Sequence, residues 1–312
     1  MLKQVIDIIE LLDNPQINGE QTIELFRGIE GITVTSQTLV GEEGSTDFIK
    51  IILAGTNGKI SGGTAPTLGI IGRLGGIAAH PSRMGLVSDA DGAIGALAAA
   101  LKLKNMYLQG NQLQGDVIVT THICPNAPTQ PHEPVDFMGS PVDMEDMNEY
   151  EITPEMDAII SIDATKGNNV INHKGFAISP TVKEGYILKL SNDLLRIMSM
   201  TTGMPPVTFP ITMQDITPYG NDLYHINSIL QPATATNAPV VGLALTAETA
   251  VPGCGTGANH EIDIASAVRF VVEVAKEFTQ GKCHLYDHEE FLQLEKLYGK
   301  MTLLQTLGNV EK

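Results

Sequence analysis

Apolar residues recur at helical spacing near the N-terminus, at Val5, Ile8, Ile9 and Leu12. This pattern predicts an amphipathic helix over residues 3–13, and Asn14-Pro15 ends it because proline cannot continue a helix. Further helices are predicted over about 19–29, 93–103, 191–203, 221–230 and 260–278. Helices are therefore expected along the whole chain.

Apolar or alternating segments between these helices predict β-strands. They lie at 32–40, 47–55, 84–88, 115–122, 157–163, 176–190, 207–216 and 238–248. Strands that alternate with helices indicate a mostly parallel sheet with helices on both faces. We therefore predict a three-layer α/β/α sandwich with a central mixed, mostly parallel sheet.

The chain is predicted to form a single α/β domain over residues 1–312. One segment departs from the alternating pattern, because residues 124–156 are rich in proline and acidic residues. Such a segment is either a long loop or a small insert in the domain. At the other end of the chain, residues 285–308 predict a C-terminal helical tail.

Composition narrows the range of partners. The 312 residues are 43% hydrophobic and 18% charged, which is typical of a globular protein, and the formal net charge is −17. Because such an acidic surface repels phosphates and anionic lipids, we expect neither nucleic acid nor membrane partners. The start of the chain has no signal-peptide pattern, so we expect a cytoplasmic protein. A mean hydropathy of +0.06, high for an acidic protein, favours a homo-oligomer.

Polar residues that follow predicted strands are the candidates for function, since ligands of such sheets bind beyond the carboxyl ends of the strands. Asp89, His122 and Asp163 lie at such ends, and His260 follows a Gly-rich loop after another strand. Aspartate and histidine are ligands of divalent ions, and zinc accepts mixed nitrogen and oxygen ligands. Each also has an ordinary alternative. Such an aspartate can cap the next helix, a role that suits Asp91 better than Asp89, and such a histidine can be held in the core.

Several segments together resemble the co-catalytic zinc aminopeptidases and their carboxypeptidase-like relatives. They are DIIELLDNPQINGEQTIELF, LVSDADGAIGALAAALKL, AIISIDATKGN, PYGNDLYHI and PVVGLALTAE with GANHEIDIASAVRFVVEVAKEF. The resemblance implies a zinc-aminopeptidase-like fold and a divalent metal, zinc, with Asp89 as the bridging ligand and Asp163 and His260 as terminal ligands. The whole chain also resembles an uncharacterised bacterial family of about this length, which implies no activity.

The chain departs from the aminopeptidase pattern at two places. Where that family has a His-x-Asp triplet with its first ligand, this chain has Thr56-Asn57-Gly58. Where the family has a Glu-Glu pair that supplies the general base and one ligand, this chain has Thr121-His122-Ile123. We therefore take His122 as the candidate catalytic base, because imidazole titrates near neutral pH.

The segment LAGTNGKIS is similar to the phosphate loop of folylpolyglutamate synthases and the Mur peptide ligases. On that resemblance, the backbone at Gly55, Asn57 and Gly58 and the Lys59 ammonium would bind the phosphates of a nucleotide cofactor. The ordinary alternative is a tight turn between a strand and a helix.

Three functions follow from these patterns. The leading hypothesis is a metal-dependent hydrolase that cleaves an amide bond in a small-molecule or short-peptide substrate. The second is an ATP-dependent ligase or nucleotide binder that uses the GTNGK loop. The third is a non-catalytic small-molecule binding protein whose metal site is degraded.

Overall fold

The computed structural model describes residues 1–80, 83–131, 137–168, 170–223 and 228–308. Its strands are β1 (Ile32–Gly41), β2 (Gly44–Leu53), β3 (Leu68–Gly72), β4 (Val117–Ile123), β5 (Thr129–Gln130), β6 (Phe137–Met138), β7 (Ala158–Ala164), β8 (Gly175–Lys183), β9 (Tyr186–Ile187) and β10 (Val240–Thr246). Its α-helices are α1 (Leu2–Leu12), α2 (Gly19–Ile23), α3 (Asp91–Leu108), α4 (Met144–Glu151), α5 (Asn192–Thr202), α6 (Glu261–Phe278) and α7 (His288–Tyr298). Short 3-10 segments are Glu24–Phe26, Ser88–Ala90, Met213–Ile216, Ser228–Thr234 and Thr302–Gln305.

Eight strands form one sheet in the order β1-β2-β4-β3-β7-β10-β8-β9. The four central strands β4, β3, β7 and β10 are parallel to one another. The pairings on both flanks are antiparallel. The α/β class and the mixed sheet are as predicted, while parallel pairing is confined to the centre of the sheet.

Helices α1, α3, α5 and α6 cover one face of the sheet and enclose the larger hydrophobic core. Helix α3 is Ala-rich and buried on all sides over its first eleven residues, because it lies between the sheet and the other helices. The opposite face is covered by α4 and the 3-10 segment Ser228–Thr234. The 3-10 segment encloses a second, smaller core, and Met147 of α4 packs in a separate cluster with Phe48 and Val142. The fold therefore has three layers, with the sheet between two helical layers of unequal depth. Within the described ranges, every helix is too short or too polar to cross a bilayer.

Strand direction decides which loops share an edge. The parallel strands β4, β3, β7 and β10 all end at one edge, at Ile123, Gly72, Ala164 and Thr246. Strand β2 runs the other way, so its last residue Leu53 pairs with Val117, the first residue of β4. The GTNGK loop therefore lies at the edge opposite the strand ends that carry His122 and Asp163.

The two segments with unusual composition contain regular secondary structure in their described parts. Residues 124–156 contain the short β5–β6 pair and helix α4, which packs on β2 and β4, while residues 132–136 lie outside the described part. The predicted tail over 285–308 contains α7 and the 3-10 segment Thr302–Gln305. Of the predicted helix 221–230, residues 224–227 lie outside the described part, and the segment from Ser228 is a 3-10 helix.

Two strand predictions need correction, and one strand of the eight-stranded sheet was not predicted. Strand β3 was missed because its five residues are embedded in a Gly-rich stretch. The predicted strand 84–88 provides one isolated bridge, at Val87. The predicted strand 207–216 also provides one bridge, at Thr208, because the neighbouring Pro206 and Pro210 have no N–H with which to extend a ladder.

Candidate functional site

Asp163 lies at the carboxyl end of β7, and its residue is 5% exposed. Its Oδ2 atom accepts a hydrogen bond from the Ser228 hydroxyl at 2.7 Å, and its Oδ1 atom accepts one from the Ala164 N–H at 2.7 Å. Burial raises the pKa of the Asp163 carboxyl to about 7; the Ser228 hydrogen bond opposes this rise, and the charge of Asp89 adds to it. Asp163 is thus a carboxyl group that titrates near neutral pH.

Asp89 lies in the 3-10 turn that leads into α3, close enough to Asp163 for its charge to act on that carboxyl. Burial raises the pKa of Asp89 to about 6; the charge of Asp91 adds to this, and Lys166 opposes it. The Asp89 carboxylate accepts no hydrogen bond from any residue in the described ranges. It is therefore available to a ligand or a water molecule.

Two glycines bring this turn to the sheet edge. A Cβ atom on Gly92 would lie 1.8 Å from the Arg73 carbonyl oxygen, so only glycine lets α3 begin directly against the end of β3. A Cβ atom on Gly253 would lie 2.5 Å from Oδ2 of Asp89. The Asp89 N–H also donates to the Gly253 carbonyl at 3.0 Å. The 252–257 loop is therefore fixed against the carboxylate of Asp89.

A buried cation lies beside these acids. The Lys166 ammonium contacts the Asp91 carboxylate and donates to the Ala258 carbonyl at 2.6 Å. The Asn259 amide donates to Asp91 Oδ1 at 2.7 Å and to the Val87 carbonyl at 2.8 Å. Burial raises the pKa of Asp91, and the charge of Lys166 opposes that rise. Asp91 is the first residue of α3, and Lys166 is its cationic partner. No side-chain hydrogen bond caps α3, so the predicted capping role of Asp91 is absent.

The residues predicted as metal ligands are only partly brought together. His260 precedes α6, with 42% of its side chain exposed, and its Nδ1 atom is 3.9 Å from Oδ2 of Asp263. In the described ranges, no three His, Cys, Asp or Glu side chains form a group that could hold a metal ion. Asp89, Asp163 and His260 therefore do not fit a three-ligand centre, and zinc binding stays a prediction.

His122 has both ring nitrogens engaged in the protein interior. Its Nε2 atom accepts the Gly75 N–H at 2.9 Å, so the ring proton lies on Nδ1, which is 2.5 Å from Oε1 of Glu151. The residue is 2% exposed. A general base needs a free ring nitrogen that faces the substrate or a water molecule. This arrangement favours a structural histidine, and the predicted catalytic role of His122 has no support in the geometry.

A buried ion pair holds His122 in place. The Arg73 guanidinium donates to Glu151 at 2.6 Å and to Asn148 at 2.8 Å, and Arg73 and Glu151 are both 0% exposed. Burial acts to raise the pKa of Glu151, but the charges and hydrogen bonds of Arg73 and His122 together outweigh it and leave this pKa below its usual range. Helix α4, which carries Glu151 and Asn148, is thus fixed to the end of β3.

The GTNGK loop encloses a carboxylate of its own chain. Asp116 accepts hydrogen bonds from the N–H groups of Gly55, at 2.8 Å, and Ile60, at 3.0 Å. The Lys59 ammonium pairs with Asp157 at 2.7 Å. The residues after the loop form turns that lead into β3, without the helix whose N-terminus a phosphate loop uses. At Gly55, Asn57, Gly58 and Lys59 the geometry therefore favours a turn over a nucleotide site.

Sequence reasoning missed five residues of this region: Arg73, Glu151, Lys166, Ser228 and Asn259. Two of them could have been found from their position next to predicted site residues, because Lys166 lies three residues after Asp163 and Asn259 directly precedes His260. The others have partners 65 or more positions away along the chain. Such pairs are set by the tertiary fold.

Comparison with known proteins identifies a family. The family model described as "Protein of unknown function (DUF1177)" matches residues 37–308, which is most of the chain. No curated protein matches the sequence.

Proposed function

The chain belongs to the family described as "Protein of unknown function (DUF1177)", and we propose that it hydrolyses an amide bond in a small peptide-like molecule. The single observation that carries this proposal is the pair of neighbouring, poorly solvated carboxyl groups of Asp89 and Asp163, with pKa values of about 6 and about 7. Paired carboxyl groups that titrate near neutrality are suited to acid–base catalysis, because one can be ionised while the other is protonated.

The environments assign a role to each group. Asp89 has the lower pKa and no hydrogen bond from a described residue, so at neutral pH it is the carboxylate that accepts a proton from water. The water oxygen then forms a bond to the amide carbon. Asp163 has the higher pKa and donates its proton to the nitrogen as the carbon–nitrogen bond breaks. Lys166 favours ionised Asp89, since its charge lowers that pKa.

A divalent ion at the same carboxylates is the second candidate. It is favoured because the Asp89 carboxylate accepts no hydrogen bond from a described residue. A cation there would relieve the repulsion between the carboxylates of Asp89 and Asp163. When bound, such an ion would polarise the scissile carbonyl. The described side chains supply two carboxylates for it, fewer than the three or four protein ligands usual for zinc.

One experiment separates the candidates. Protein dialysed against a chelator is incubated with a panel of dipeptides and N-acyl amino acids, and products are measured by mass spectrometry. We expect turnover without added metal and its loss in Asp89→Asn and Asp163→Asn. Asp7→Asn is the matched control, because Asp7 lies in an exposed pair with Lys3. Turnover that appears only after zinc is added would select the metal-dependent candidate, and no turnover under either condition would reject both.

A further inference from the structure

A groove of about 1180 Å³ lies on the face of the sheet that α4 covers. It runs between α4, the 3-10 segments Ser228–Thr234 and Thr302–Gln305, and the side chains of Tyr219 and Tyr286. Pockets that bind small molecules measure about 300–1,000 Å³. The groove is therefore large enough for an extended molecule.

The charged groups of this groove favour a cation. Glu145 and Glu149 line it one helical turn apart on α4, and no residue in the described ranges forms an ion pair with either. Like charges at this spacing repel one another, so a bound cation would relieve the repulsion. The Lys183 ammonium also lines the groove but already contacts Glu184 and the Asn237 carbonyl. The groove thus presents unpaired carboxylates.

A buried hydroxyl group provides independent support. Thr153 lines the groove and is 9% exposed, and its Oγ1 atom is buried without a hydrogen-bond partner among the described residues. A buried hydroxyl group without a partner costs about 1–3 kcal/mol, which is why most are paired. A ligand N–H group that reaches Thr153 would complete its hydrogen bonding.

The groove is built by the same elements that hold Asp163. At the start of the segment Ser228–Thr234, the Ser228 hydroxyl group donates a hydrogen bond to the Asp163 carboxylate. At its end, Thr234 lines the groove, and its hydroxyl oxygen accepts a hydrogen bond from the Asn148 amide at 3.3 Å. Tyr219 also lines the groove, and burial together with the charge of Asp163 raises its pKa to about 12. One end of the groove is therefore within electrostatic reach of Asp163.

We propose that this groove binds an extended cation with two or more amino groups, and that it holds the basic end of the substrate whose amide bond reaches Asp89 and Asp163. The second part rests on the proposed function. The ammonium groups would pair with Glu145 and Glu149, and an N–H group would reach Thr153. Both a free polyamine and a lysine-rich peptide have this chemistry.

Calorimetric titration at physiological salt tests the binding directly, with spermidine and tri-lysine as separate probes. We expect at least one probe to bind the wild-type chain, and the probe that binds identifies the source of the amino groups. Glu145→Gln/Glu149→Gln should weaken binding about tenfold or more. Asp7→Asn/Glu10→Gln removes the same number of charges from α1 and should leave the affinity unchanged. Thr153→Val should weaken binding without loss of stability, because it removes an unpaired buried hydroxyl group.

Two results would overturn the groove proposal. One is the absence of binding by both probes at millimolar concentration. The other is equal weakening in the two double variants, which would mean general attraction to an acidic surface. Because binding is measured without turnover, probes that bind a chain that hydrolyses nothing would reject the proposed function and leave the cation site intact.

Discussion

The Lys166 ammonium contacts the Asp91 carboxylate where 2% and 1% of the two side chains remain exposed. The Asn259 amide donates a hydrogen bond to Asp91, and the Ala258 carbonyl accepts one from Lys166. It joins the loop after β7 to the start of α3 and to the chain that precedes α6. The two proposed catalytic carboxyl groups, Asp89 and Asp163, lie within three residues of Asp91 and Lys166 in the sequence. The ion pair therefore fixes the segments that carry both acids.

Replacing the buried lysine should destabilise the fold. In Lys166→Met the Asp91 carboxylate stays buried without its cation, and we expect a loss of about 3–5 kcal/mol in the free energy of unfolding, measured by urea denaturation. Lys3→Met removes a lysine from an exposed pair with Asp7 and should cost less than about 1 kcal/mol. Equal losses in the two variants would contradict the importance of the buried pair.

The raised pKa of Asp163 predicts how stability depends on pH. The folded state holds this proton up to about pH 7, whereas an aspartate carboxyl group with its ordinary pKa of 3.8 loses the proton near that pH. Because the folded state binds more protons between these values, the contribution of Asp163 to stability is lost as the pH rises through that window. Asp163→Asn should remove this slope and exceed the wild type in stability at pH 8 by on the order of a few kcal/mol.

Urea denaturation between pH 4 and pH 8 measures this effect, and Asp7→Asn provides the control with the wild-type slope. A carboxyl ¹³C titration by NMR gives the pKa of Asp163 independently. A measured value near 4 would contradict both the raised pKa and the role of Asp163 as the acid.

His122 should prove to be a structural residue. His122→Ala leaves the Gly75 N–H and one oxygen of Glu151 buried without partners, which should cost about 2–5 kcal/mol in the free energy of unfolding. His260→Ala, at a side chain 42% exposed, should cost less than about 1 kcal/mol. If His122→Ala keeps full stability but loses turnover, His122 is the catalytic base after all.

The GTNGK loop should not bind nucleotide. The loop already encloses the Asp116 carboxylate, which accepts the N–H groups of Gly55 and Ile60. Adding ATP with magnesium should therefore leave the melting temperature unchanged. A ligand present at about 100 times its dissociation constant stabilises a protein by about 2.7 kcal/mol, so a shift of that size in a thermal melt would restore the ligase hypothesis.

Homo-oligomerisation stays a prediction, and the C-terminal tail offers a surface on which to test it. Leu297, Tyr298 and Leu303 are 59%, 72% and 57% exposed, respectively. Light scattering should show a particle larger than the 33.4 kDa chain. Leu297→Glu/Leu303→Glu should reduce its mass if this surface lies between copies. A 33.4 kDa particle for the unaltered chain would contradict the prediction.

The sequence by itself determined the class of the fold and its local elements. Helical spacing placed α1 and α6, and the predicted helix 191–203 corresponds to α5, which Ser191 caps by accepting the Leu194 N–H at 3.3 Å. The apolar run before Asp163 identified β7 and its carboxyl end. These features depend on residues a few positions apart, so periodicity and capping chemistry are sufficient to reveal them.

Only the tertiary structure decided which candidates meet. Strand β2 pairs antiparallel with β4, a direction that its apolar pattern does not encode, and this places Lys59 at the edge opposite Asp163. The pairing of Lys166 with Asp91 and of Arg73 with Glu151 joins residues 75 and 78 positions apart. A charged side chain is buried only where the fold supplies its counter-charge. The local sequence therefore shows that an ionisable residue is present, and strand order and direction determine its partner.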